Sequence, residues 1–158
     1  MGGPLRVVRV IYVLGFAEGT GDHLYELITR GLSAYYYAPP AIAVFFHLLL
    51  LIDPGTALVV LRRRSFGPAL AAAVMTGDLL ANGWVNWPDV RADPWQFVRP
   101  YGLLVLTLFG LFVFVTAVPL HRATRGSGSG RRAVADHVSS PESPPVPAAP
   151  CADAPSEG

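Results

Sequence analysis

The sequence has no lysine and a single cysteine, and only 15% of its 158 residues are charged. A water-soluble domain carries about 25% charge. The deficit argues against a multidomain enzyme of that kind. A net charge of +1 removes the electrostatic basis for binding nucleic acid. The lone Cys151 excludes an intrachain disulfide, a CxxC redox pair and a thiolate metal centre. No Walker loop, GxGxxG, HExxH or GxSxG is present. All twelve basic residues are arginine, amid abundant Ala, Gly, Pro and Val. That bias points to a GC-rich, bacterial genome.

What is present is apolar. Hydrophobic residues make up 52% of the chain. Crossing a bilayer core about 30 Å thick takes roughly 20 helical residues. Residues 101–120 form such a run without a charge, preceded by Arg99 and followed by Arg122 and Arg125. Residues 40–61 form a second, closed by Arg62, Arg63 and Arg64. Neither side of its Asp53-Pro54-Gly55 is long enough to span alone. The run therefore reads as one span broken or kinked at Pro54, with Asp53 in an N-cap position. Residues 66–87 form a third, rich in Gly and Ala, which allow close helix approach.

Residues 5–28 are the fourth span. Only their first half is apolar, and Glu18, Asp22, His23 and Glu26 fill the second. Either this helix crosses with its acidic residues facing other helices, or it ends near Gly19 and residues 21–37 lie on the surface. Eleven apolar residues are too few to span, which favours crossing. Arg6 and Arg9 before an apolar stretch resemble a signal peptide. No small-residue cleavage site follows, so an uncleaved helix is expected.

The expected fold is therefore all-α, an integral membrane four-helix bundle over residues 1–121. A polar cytoplasmic tail, 122–158, is expected to be disordered, with a flexible Gly/Ser linker at 126–130 and a Pro/Ala-rich stretch at 141–150. With both termini inside, nine arginines fall on the inner side and three on the outer. That is a positive-inside bias, with Arg62, Arg63 and Arg64 as topology determinants. Trp84, Trp87 and Trp95 then sit at the outer interface, and Tyr35 to Tyr37 suit the same belt. The cell membrane, with multi-pass topology, is the expected location.

Ionisable groups within spans are costly and mark functional candidates. Glu18 and Asp78 fall near mid-depth, Asp53 about 4 Å to the inner side and His47 roughly 5 Å to the outer side. Glu18, Asp22 and Glu26 share one helical stripe, as do Asp78, Asn82 and Asn86. These residues predict an intramembrane cluster of Glu18, Asp22, His47, Asp53, Asp78 and Asn82 that binds a proton, a cation or a small polar ligand. Two alternatives compete. One is a non-catalytic accessory or assembly subunit, packed on a larger membrane partner or on a second copy. The other is a metal- or haem-dependent enzyme using His23 and His47. No cofactor, catalytic residue or nucleic-acid partner is predicted; the bilayer is the expected surrounding.

Overall fold

The computed structural model describes residues 3–99 and 103–139, with side chains as far as Arg125. Every regular element among them is helical. α1 runs Gly3–Arg30, α2 Pro40–Leu61, α3 Gly67–Ala92, α4 Trp95–Val98 and α5 Leu103–Ser139. A short 3₁₀ turn, Gly31–Ser33, follows α1.

The stops follow from local chemistry. Gly31 adopts φ +60°, the left-handed conformation that ends helices at glycine, directly after Arg30. Pro40 occupies the first turn of α2, where its missing N–H costs nothing. Asp93 ends α3, and its carboxylate accepts the Trp95 N–H at 3.1 Å as α4 begins.

α1 is a single helix, continuous through Gly15, Gly19 and Gly21, which agrees with the favoured reading and not with an end near Gly19. Other boundaries differ from expectation. α2 is also continuous across Pro54, and Asp53 caps nothing. Pro54 still deprives the Leu50 carbonyl of its usual donor. The helix holds because its buried stripe, Phe46, Leu49, Asp53, Ala57 and Val60, packs on both sides of that position. Finally, α5 continues to Ser139 through the stretch expected to be a linker. Once a helix exists, each added residue brings its own backbone bond, so a helix can extend past its packed part. The rest of the expected disordered tail, with Cys151, lies outside the described residues.

The four long helices form a ring. α1 packs on α2, α2 on α3, α3 on α5, and α5 returns to α1 more lightly. Tyr12, fully buried on α1, donates its hydroxyl proton to the Val113 carbonyl at 2.8 Å, and its oxygen lies 3.1 Å from Thr116 Oγ1. Phe16 meets Phe109 edge-on at 5.6 Å. Ala71, Val74 and Met75 carry the core into α3, and Val113 and Leu120 into α5.

The outside is apolar as well. Val10 and Leu14 on α1, Leu51 on α2, Leu80 and Trp84 on α3, and Leu111 and Val115 on α5 are all exposed. α2 and the 103–125 part of α5 are long and apolar enough to cross a membrane, with mean hydropathies of 2.1 and 2.6. α1 and α3 are long enough but fall short on that measure, so two helices rather than four meet it. Their polar residues lower the average: Glu18, Asp22 and Glu26 on α1, and Asp78, Asn82 and Asn86 on α3.

Candidate functional site

The junction of α1, α2 and α3 holds the most unusual chemistry. Asp53 is 5% exposed. It sits on the inward stripe of α2, three residues before Thr56, which is 1% exposed and whose hydroxyl has no hydrogen-bond partner. Across from α2, Gly19 of α1 faces the Asp53 carboxyl so closely that a Cβ there would lie 2.8 Å from Oδ2. Any larger residue at position 19 would displace the carboxyl.

Asp78 of α3 is near enough to Asp53 for the two negative charges to repel. It is half-buried. Asn82, one turn on, donates its amide to Asp78 Oδ1 at 2.8 Å and to the Asp78 carbonyl at 3.2 Å. Asn86 donates in turn to the Asn82 carbonyl at 2.8 Å. The predicted Asp78–Asn82–Asn86 stripe is thus a chain of hydrogen bonds along one helix, with a carboxyl at its inner end.

A second polar layer lies toward the α1–α2 connection. His47 is six residues before Asp53 on α2, about 9 Å along the axis. Its Nδ1 lies 2.7 Å from the Ala43 carbonyl, which assigns the proton to that nitrogen. Nε2 is buried without a partner. His23 of α1 stands close to His47, stacks on Phe46 at 6.1 Å and lies 2.8 Å from the Tyr35 hydroxyl through Nδ1. Tyr35 is 4% exposed and meets His47 edge-on at 5.0 Å. Burial pushes the Tyr35 phenol up from its ordinary 10.0, reinforced by Tyr37, Glu26 and Asp22 and opposed by Arg30. Burial also raises Tyr37, with Glu26 adding to the effect.

The predicted cluster is therefore assembled only in part. Asp53, Asp78 and Asn82 come together. His47 joins His23 and Tyr35 in the next layer. Glu18 and Asp22 correct the expectation: both are exposed and lie off the inward stripe of α1. Their shared stripe is real, but the inward stripe of α1 is Tyr12, Phe16, Gly19 and His23. Glu26 is likewise engaged locally, by Arg30 at 3.2 Å. Among the described residues, no group of three or more His, Cys, Asp or Glu side chains is arranged to hold a metal ion.

Tyr35, Thr56 and Gly19 are the residues that sequence reasoning missed. Gly19 had a visible signal. Tyr12, Phe16, Gly19 and His23 recur at spacings of four, three and four, which marks one helical face. Thr56, three residues after Asp53, shares its helical face, whereas Tyr35 lies in the turn between α1 and α2, where no periodicity marks a buried side, and it is buried rather than at the interface expected for Tyr35 to Tyr37.

An open apolar groove of about 550 Å³ lies apart from these layers, lined by Leu79, Leu80, Gly83, Trp84, Trp87 and Pro88. No protein-family model, curated protein or solved structure matches the chain.

Proposed function

We propose that the chain is a four-span integral membrane protein, with both termini cytoplasmic, in which Asp53 and Asp78 form a carboxyl pair that holds a proton inside the bundle. The observation that carries this reading is the buried Asp53, close enough to Asp78 for their charges to repel and with no cation offsetting that repulsion among the described residues. Two ionised carboxylates side by side in a dry interior pay desolvation and mutual repulsion together. One proton shared between them relieves both costs. Asn82 supports the arrangement by donating to Asp78, which leaves the proton to Asp53.

Membrane embedding is supported by the apolar exterior of all four long helices. Contiguous exposed apolar surface marks contact with a membrane or with another protein. The two remaining helices then cross as parts of the bundle, with Asp78 turned from lipid. Protons would reach the pair from the outer side, past the Tyr35–His23–His47 layer.

The test is the infrared C=O band of protonated carboxyl groups in lipid-reconstituted protein, followed against pH. A coupled pair titrates as one unit. Asp53→Asn and Asp78→Asn should therefore each remove the same titrating component, with membrane abundance unchanged. A component that survives in both variants rejects the proton site.

A second reading has its own support. Glu18 and Asp22 lie exposed on α1 at depths where lipid contact costs about 2.5–3.5 kcal/mol per acidic residue. A second copy or a larger membrane partner covering that face removes the cost. On this reading the chain is an assembly subunit, and the carboxyl pair fixes helix packing. Cysteine crosslinking from position 22 in native membranes tests it: one discrete adduct supports assembly, and no adduct removes it.

A further inference from the structure

Every threonine of the chain lies in a helix, and all but one satisfy their hydroxyl in the same way. Thr20, Thr29, Thr76, Thr107, Thr116 and Thr124 each donate to the carbonyl four residues earlier, at 2.6–3.1 Å. That back-bond is always within reach of a helical threonine. Thr56 is the exception. It is 1% exposed, and its hydroxyl bonds neither its own helix nor any neighbour. A buried polar group without a partner keeps its full desolvation cost, so valine, of the same shape, would suit a purely structural position better.

One turn away on the same face of α2 is Asp53, 5% exposed, whose carboxyl accepts no hydrogen bond among the described residues. Positions three apart on a helix hold their Cβ atoms about 5–6 Å apart. Gly19 has no Cβ to fill the space at Asp53 Oδ2. Asp78 brings a second carboxyl toward the first, and Asn82 engages only its Oδ1. A carboxyl and a hydroxyl, both buried and both unsatisfied, thus share one face beside a second carboxyl.

We propose that Asp53 and Thr56, with Asp78 as the second carboxyl, bind a sodium ion inside the bundle. The inference deepens the carboxyl-pair reading and rests on it. Hard cations take oxygen ligands, and an ion of calcium's size, which sodium nearly matches, sits about 2.3–2.6 Å from each. Such an ion spans one helical turn between two side-chain oxygens. Charge selects a monovalent ion. A pair sharing one proton keeps one negative charge, which one sodium neutralises. Calcium would require both carboxyls ionised and six or more oxygens, more than these residues supply. Sodium also approaches its few oxygens more closely than potassium, which strengthens each contact. With sodium beside Asp53, the shared proton passes to Asp78 Oδ2, the oxygen that Asn82 leaves free.

The test measures binding of radioactive sodium to the full chain reconstituted in phosphatidylcholine, with choline chloride holding the ionic strength constant. Thr56→Val keeps the shape and removes the hydroxyl; it should weaken sodium binding about tenfold. Thr56→Ser should recover most of that loss. In sodium-free choline medium, Thr56→Val should melt no lower than the unaltered chain, because it removes an unsatisfied group. A lower melting temperature there would show that the hydroxyl has a partner within the fold and overturns the site. Unchanged sodium binding in Thr56→Val overturns it too, the hydroxyl then holding at most a water. Potassium or calcium displacing sodium at equal concentration overturns sodium as the ion. No sodium binding, with the infrared carboxyl component still removed by both Asp53→Asn and Asp78→Asn, overturns the sodium site alone. A carboxyl component that survives in both aspartate variants overturns the proton pair and the sodium site with it.

Discussion

At position 12 a single hydroxyl joins α1 to α5, through the Val113 carbonyl at 2.8 Å and Thr116 Oγ1 at 3.1 Å. Tyr12→Phe keeps the ring packing and removes both contacts. Interhelical polar contacts in membranes average about 0.6 kcal/mol, up to about 1.7. The variant should therefore lose roughly 1 kcal/mol in a denaturing-detergent titration. A neutral result would mean that the ring, not the hydroxyl, holds these helices. Tyr35 gives a pH signature at the same scale. Its phenol is raised above 10.0 in the folded chain by burial, so the folded state binds the proton more tightly than the unfolded state. The stabilisation is complete below 10.0 and is lost as pH rises beyond it. Tyr35→Phe should flatten the alkaline limb of a stability-versus-pH curve. An unchanged limb would place the transition elsewhere.

At the level of helices, close approach depends on small residues. A Cβ on Gly15 would run into the tip of the Phe109 ring, so any larger residue there forces that ring to move. Gly15→Ala should destabilise by about 1–3 kcal/mol through overpacking. Phe109→Leu should recover part of that loss, because neighbouring substitutions couple. Strict additivity in the double variant would show that the two residues do not share a contact in the folded chain. The helices themselves were readable from the chain. α2 and α5 are long apolar runs next to arginines, and such runs need no tertiary information. α3 extends five residues past its expected end at Trp87, because Pro88 falls where the helix could tolerate it. The facing of α1 was not readable. Its carboxylates recur at four-residue spacing, and so nearly do its inward residues on a face roughly 90° away, so periodicity alone fits either face. Packing decides between them: Gly19 admits the Asp53 carboxyl at van der Waals range, and Glu18 at that place could not.

The whole molecule is sorted by charge along its length. Arginine occupies one end, the Asp53–Asp78 pair the middle, and Tyr35 with the two histidines the next layer. This order was largely visible in the chain, since up-and-down helices bring the ends of successive segments together. What the chain did not disclose is which carboxyls meet. Asp53 and Asp78 converge because each lies on a buried stripe of its own helix, while Glu18 and Asp22 lie off theirs. The proton site depends on four crossings. The most direct measurement of that claim is single-cysteine labelling in intact cells, in a Cys151→Ser background. Ser33→Cys and Asp93→Cys lie after α1 and after α3, and Ser65→Cys lies between α2 and α3. Four crossings predict that an impermeant thiol reagent labels positions 33 and 93 from outside and position 65 only after permeabilisation. If only α2 and α5 cross, positions 33 and 93 fall on opposite sides of the membrane, and that result would contradict the account.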